Sequence, residues 1–198
     1  MLPGILVNAR DLGGLPTSSG PLACGHVFRA AAPGALTGEG CARFAELGIE
    51  TVIDLRTPAE RQSVPTADCV APASRTVFAP MPIPYSVSPA DYLADLHSDA
   101  AVRAVFDALA DRSRYPVLIH CTYGRDRSGV AVALVLLARG ATREVILRDY
   151  QRTAENGLSA FPASLEAVLD EVERAGGIDA FLAPLGITAE SLAALRSL

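Results

Sequence analysis

Short apolar runs alternate with segments of helical period through the first two thirds of the chain, and the last third is helical in pattern throughout. Strands are predicted at residues 5–7, 26–29, 51–54, 75–79 and 117–120, where apolar and β-branched residues cluster over a few positions. Thr37 reads as the N-cap of a helix over 40–47 that Gly48 stops, and Thr57-Pro58 with Glu60 reads as a capping box opening a short helix. Further helices are expected from Ser88-Pro89 to Leu96, from Ser98 to Ala110, over 128–138, from Thr142 to about Ala154, over 164–174, and from Thr188 onward. Pro80, Pro82, Pro84 and Pro89 make a stiff, extended connection ahead of the 88–96 helix. That helix has the pattern of an exposed cap, placed to act as a lid. Strands followed mostly by helices imply an α/β fold, a small, mostly parallel twisted sheet flanked by helices with a helical C-terminal third. Residues 1–198 read as a single domain.

Composition narrows the picture. The chain has 198 residues, half of them hydrophobic and 20% charged, enough for one substantial core. Its formal charge of −5 disfavours a nucleic-acid binder, so attraction for an anion has to be local. All 17 basic residues are Arg. Cys24, Cys41, Cys69 and Cys121 lack metal-ligand spacing, and with only three His the pattern indicates neither a zinc site nor a disulfide scaffold. Cys41 reads as a small buried hydrophobe in its helix. A reducing compartment, no metal and no cofactor are expected. The first residues lack the basic region of a signal peptide, and the longest apolar run, 130–138, is too short to span a bilayer. The expectation is a soluble, cytoplasmic protein with no stable membrane association.

The candidate chemistry lies at H-C-T-Y-G-R-D-R-S-G, His120 to Gly129. An apolar strand runs into this segment and an apolar helix leaves it, so residues 121–127 form a strand-to-helix turn. Backbone N–H groups there can form a nest for a tetrahedral oxyanion, with the helix adding its positive end. Thr122, Tyr123, Gly124, Arg125, Asp126 and Arg127 are the candidate phosphate-binding residues. Helix N-termini and nearby Arg residues favour a thiolate, which makes Cys121 the candidate nucleophile. Arg127 can grip two equatorial oxygens at once, Ser128 can donate to the sulfur and ease its departure, and His120 orients the loop rather than attacking. Gly124 permits the tight turn, and Gly129 a close helix start. A buried, inert Cys at the end of a strand is the bland alternative, and the surrounding residues argue against it.

His-Cys-x5-Arg-Ser resembles the signature of the cysteine-based protein tyrosine phosphatase superfamily. Gly-Arg-Asp-Arg-Ser-Gly at 124–129 resembles a bacterial tyrosine and dual-specificity branch related to phosphoinositide phosphatases, with Arg125 where that branch usually has Lys. The N-A-R-D-L-G-G stretch from Asn8 is similar to a turn that accompanies the branch, with Ala9 replacing an aromatic. Read alone, Arg10 and Asp11 there make a polar turn; the resemblance implies structural support near the pocket. Asp54 and Arg56, at the carboxyl end of their strand, either reach the pocket or form an ion pair bracing the loop. The resemblance implies that Asp126 is the general acid, and Asp91 and Asp95 on the 88–96 helix are the alternatives. Tyr123 or Tyr85 either walls a phosphotyrosine slot or faces solvent.

The function this implies is a metal-independent phosphomonoester hydrolase working through a phosphocysteine, acting on phosphotyrosine in proteins or with dual specificity. A small-molecule phosphatase acting on a nucleotide, sugar or inositol phosphate is the alternative, and a non-catalytic phosphate-binding module is the third. A peroxide-sensitive Cys121, resolved as a disulfide by Cys24, Cys41 or Cys69, is a separate expectation.

Overall fold

The computed structural model describes residues 6–70, 75–83 and 85–197. Its strands are β1 (Arg10–Asp11), β2 (Val27–Ala30), β3 (Thr51–Asp54), β4 (Arg75–Phe78) and β5 (Val117–His120). Among the described residues they form one sheet in the order β1-β2-β5-β3-β4. β1 runs antiparallel to β2, and the other neighbours are parallel. β5 is central and buried along its whole length, which is why its sequence is a continuous apolar run rather than an alternation. The register sets His120 beside Ala30 on one side and Asp54 on the other, so three strands end together at one carboxyl edge. A ligand site belongs at that edge in a sheet of this kind.

The strand expected at 5–7 is not where the chain first extends. Ile5 lies outside the described residues, Leu6 to Asn8 form a bend and turn, and the first pairing comes at Arg10. Asn8 adopts φ 53°, a left-handed conformation that Asn tolerates better than most residues, and its fully buried side chain reaches the loop after β5. That tertiary contact outweighs the local strand pattern. Pro84 of the stiff connection also lies outside the described residues.

The helices are α1 (Gly38–Glu46), α2 (Pro58–Ser63), α3 (Pro89–Leu96), α4 (Asp99–Ala110), α5 (Asp126–Ala138), α6 (Arg143–Gln151), α7 (Pro162–Arg174), α8 (Ile178–Leu182) and α9 (Ala189–Arg196). Capping boxes start α2 at Thr57 and α3 at Ser88. α6 gives way at Arg152 to a 3-10 turn that ends at Gly157, short of the helix expected to Ala154. α5 is buried on nearly every face, so it carries no polar stripe. It packs beneath the sheet with α3, α4 and α7, while α1 covers the opposite face through Phe44 against Val52, Phe28 and Leu118.

Two expectations need correction. α3 is not an exposed cap: Tyr92, Asp95 and Leu96 are fully buried and the helix packs on α5 and α7. Its short length hid a wedge of buried residues one turn apart. Cys41 is not a lone hydrophobe but is disulfide-bonded to Cys69, 28 residues on, which pins α1 to the segment after α2. Cysteine spacing did not predict this pairing, because a partner 28 residues away leaves no local pattern. Among the described residues no helix is long and apolar enough to cross a membrane.

Candidate active site

The loop from Cys121 to Arg127 leaves the end of β5 and closes on the first turn of α5. Cys121 lies at its base with 1% exposure. Gly124 has φ 64°, and a Cβ there would stand 2.3 Å from the Ala30 carbonyl carbon, so both conformation and space require glycine. At Gly129 an added Cβ would meet the Tyr150 ring at 3.0 Å, which is how closely α6 approaches the start of α5.

The back of the loop is held by buried polar groups. The Arg29 guanidinium donates to the carbonyls of Gly124 (2.9 Å) and Arg125 (3.2 Å), and Asn8 Nδ2 donates to Gly124 O (2.7 Å). These bonds fix the Gly124 and Arg125 carbonyls on one side of the loop. Arg29 and Arg10 both pair with Asp149, at 3.0 and 2.7 Å, and Arg10 also donates to Asn8 Oδ1 (2.6 Å). Burial works to raise the Asp149 carboxyl, but Arg29 and Arg10 outweigh it and hold it below the usual range. Burial and Arg29 bring Arg10 down to about 10, against the pull of Asp149. The structure therefore brings Arg10 to the loop through Asn8 and Asp149. It leaves Asp11 at the turn, where its carboxylate accepts from the Gly13 and Gly25 amides.

Asp54 and Arg56 form a two-point ion pair, with Nε–Oδ1 at 3.0 Å and Nη2–Oδ2 at 2.8 Å, both residues 1% exposed. His120 lies between this pair and the loop: its Nδ1 is 3.2 Å from Cys121 O and its Nε2 is 3.7 Å from Asp54 Oδ1. Complete burial lowers its pKa despite Asp54, so a neutral imidazole links strand to loop.

Arg127 is fixed by a residue that sequence reasoning assigned to a helix cap alone. Glu60 accepts from Arg127 Nη1 (2.7 Å) and Nη2 (2.6 Å), from Thr122 Oγ1 (2.5 Å) and from the Thr57 amide (2.9 Å). Burial works to raise this carboxyl, yet Arg127, Thr122 and Thr57 together bring it down to about 2. One side chain thus caps α2 and orients the guanidinium of the loop. Ser128 Oγ is buried and, among the described residues, has no hydrogen-bond partner, a donor available to the loop.

The acids divide by environment. Asp126, 2% exposed, accepts from Tyr92 Oη (2.7 Å) and from Arg125 Nε (2.6 Å) and Nη2 (3.0 Å). Tyr92 is bonded in turn to Tyr150 Oη (2.6 Å), which accepts from the Phe161 amide. Arg125, expected to face the phosphate, is drawn to Asp126, and its guanidinium stacks 4.7 Å from the Phe161 ring centroid. Asp91 caps α3 and is held below the usual carboxylate range by its Ser88 and Val87 donors, which suits a cap and not an acid. Asp95 is fully buried, accepts from Ser86 Oγ (2.6 Å) and the Ile83 amide (3.1 Å), and is pushed by burial up to about 6. Tyr123 and Tyr85 stand at the rim with ring centroids 6.1 Å apart.

Glu60, Arg29, Asp149, Tyr92 and Tyr150 are the residues that sequence reasoning did not place in the site. A signal existed for one of them: an Arg inside the apolar strand Val27–Ala30 has to find a buried partner. Among the described residues no cluster of His, Cys, Asp or Glu is arranged to hold a metal ion.

The chain is similar to several known proteins. A provisionally named tyrosine-protein phosphatase of Cupriavidus necator is 30% identical over 204 residues, covering 87% of this chain and 74% of that protein. The triple specificity protein phosphatase PtpB of Mycobacterium tuberculosis is 54% identical over 41 residues, 21% of this chain and 15% of that one. The core catalytic domain of the PP-IP phosphatase Siw14 from S. cerevisiae shares the fold, with a TM-score of 0.53 at 15% identity over 89% of this chain and 95% of that chain. A family model described as the tyrosine phosphatase family matches residues 2–198, and the chain belongs to that family.

Proposed function

We propose that this protein is a metal-independent cysteine phosphatase that hydrolyses phosphotyrosine in proteins through a phosphocysteine. The observation that carries the reading is the loop itself: Cys121 at its base, its carbonyls held from behind by Arg29 and Asn8, and Arg127 locked by Glu60. The Cys121 thiolate attacks phosphorus in line, and the bond to the leaving oxygen breaks with its electron pair going to that oxygen. Asp126 protonates it. Arg127 and the loop amides stabilise the equatorial oxygens as charge spreads over them. Water then gives a proton to Asp126 and attacks phosphorus, the P–S bond breaks, and Ser128 donates to the departing thiolate. Asp126 is preferred because it belongs to the loop itself, beside Arg127, while Asp91 is committed to its cap and Asp95 to Ser86 and the Ile83 amide. The paired Tyr85 and Tyr123 rings supply aromatic walls suited to a phenyl phosphate.

The test is phosphate release in the presence of chelator from phosphotyrosine peptides, phosphoserine peptides, phosphoinositides and nucleotide or sugar monophosphates, with Cys121→Ser as the blank. Turnover confined to phosphotyrosine and lost in the variant supports the proposal. Preference for a small monophosphate moves the protein to metabolism, and metal-dependent turnover that survives in Cys121→Ser removes the cysteine mechanism.

A further inference from the structure

A cavity of about 360 Å³ opens beside the phosphate loop, sharing Tyr85 and Glu60 with the site above and extending past it to the segment after α2. Thr122 and Glu60 line one side and so belong both to the cavity and to the loop's own framework. The remaining walls are largely apolar: Ala32 and Ala35, Ala59 on α2, Val64, and Tyr85 at the rim. Val64 is 48% and Tyr85 63% exposed, large apolar surfaces left facing water at the mouth of a concave site.

The walls are built rather than incidental. Arg56, having paired with Asp54, turns Nη1 to Val64 O (2.7 Å) and Nη2 to Thr66 Oγ1 (3.2 Å), fixing the chain just after α2. The Ala67 amide bonds to Pro33 O (2.9 Å), and the Cys41–Cys69 disulfide holds the same segment to α1. Gly34 allows the two sides to close: a Cβ there would stand 2.7 Å from Val64 Cγ1. On the loop side the Ala32 amide donates to Thr122 O (3.2 Å), so the cavity floor is continuous with the phosphate site.

Charge decides between occupants. Among the described lining residues the only cation is Arg56, and its charge is met by the buried Asp54 carboxylate. Glu60 brings a carboxylate to the same wall, and its charge is met in turn by the Arg127 guanidinium at 2.6 and 2.7 Å. A second phosphate or an acidic side chain would find the lining cation already paired and would enter without a partner, which carries the penalty of an unpaired ion. An apolar side chain would cover Val64 and Tyr85.

We infer that this cavity is a specificity pocket for an apolar side chain flanking the phosphotyrosine of a peptide substrate, with Ala35, Val64 and Tyr85 setting the preference. The inference rests on the phosphotyrosine reading above and names the substrate class within it. Polyphosphorylated headgroups and acidic phosphopeptides are correspondingly poor substrates.

The experiment compares kcat/KM for free phosphotyrosine and for phosphotyrosine peptides whose neighbouring positions are all Ala, Leu or Phe at one position, or Asp at that position. Burial of one apolar side chain predicts at least about a tenfold advantage of the best Leu or Phe peptide over the Ala peptide, with Asp poorest. Ala35→Phe, which fills the cavity, should collapse the ratio of kcat/KM for that peptide to that for free phosphotyrosine toward the Ala-peptide value. Val64→Arg, at an exposed position that leaves the core intact, should reverse the order of the Leu and Asp peptides. If the wild type hydrolyses every phosphotyrosine substrate with equal kcat/KM, or if neither variant alters the ratios, this inference is overturned while the phosphatase reading stands. A wild type inactive on all of them overturns both.

Discussion

Glu60→Gln separates two jobs that one carboxylate performs. Gln can still accept from the Thr57 amide, since a capping box takes Glu or Gln at this position, so the start of α2 survives. What is lost is the charge facing Arg127, whose guanidinium is buried with both terminal nitrogens on Glu60 at 2.6 and 2.7 Å. A carboxyl lowered from 4.5 to about 2 corresponds to roughly 3 kcal/mol of favourable interaction, which partial exposure of the pair reduces to about 1–2 kcal/mol. The sign follows from the depressed value. This contribution is fully present above pH 4.5 and is lost as pH falls toward 2, so the stability difference between wild type and variant should shrink in strong acid. The catalytic cost is larger, because an arginine displaced by even about 1 Å from its oxygens loses roughly a hundredfold in rate. The assays are urea denaturation at pH 7 and pH 3, and kcat/KM for a phosphotyrosine peptide at pH 6–7. A variant with wild-type kcat/KM would falsify the positioning role. A faster one would make Glu60 a competitor of the substrate for Arg127.

Other consequences can be checked by the same means. Asp126→Asn should lower kcat by about 10²–10⁴-fold for substrates with a poor leaving group and much less for an activated aryl phosphate, and an equal loss on both would remove Asp126 as the acid. Tyr92→Phe takes away the 2.7 Å bond to Asp126 and should cost about 1 kcal/mol of stability, visible as a shift of the urea midpoint. Asp95, raised by burial to about 6, contributes stability that is fully present below its unfolded value of 3.8 and is lost as pH rises through 6. The stability of Asp95→Asn relative to wild type should therefore rise between pH 4 and 7, by up to about 3 kcal/mol, and a pH-independent difference would contradict the assignment. Cys41→Ser with Cys69→Ser opens a loop of 28 residues and should destabilise the protein by about 3–4 kcal/mol on the chain-entropy account, measured as a lowered Tm without reductant.

Local pattern was sufficient wherever an element's fate depends on its own residues. The β5 run, the capping box at Thr57, the helix start at Ser88-Pro89 and the glycine that stops a helix at Gly48 all stand as the spacing predicts, because caps and left-handed turns are settled within about four residues. The turn that carries Cys121 and Arg127 was legible for the same reason: it is one contiguous segment between β5 and α5, and its steric demand for Gly124 is written within it. The misplaced first strand and the supposed lid were decided elsewhere. Asn8 bends the chain toward Gly124, 116 positions away, and α3 is buried by α5 and α7, neither of which is near it in sequence.

Taken alone, the sequence determined the α/β class and the family, and it marked out one contiguous turn as the candidate site, since each depends on short-range order along the chain. Only the tertiary structure decided what holds that turn in place. Charges such as the half-buried Glu60 and the buried Arg29 and Asp149 have no preferred partner in sequence and acquire one only when strands and helices bring 60 to 127, 29 to 124 and 149 to 10. Burial makes an unpaired charge costly and so makes those pairings obligatory, but which charges are buried together is a property of the packed chain.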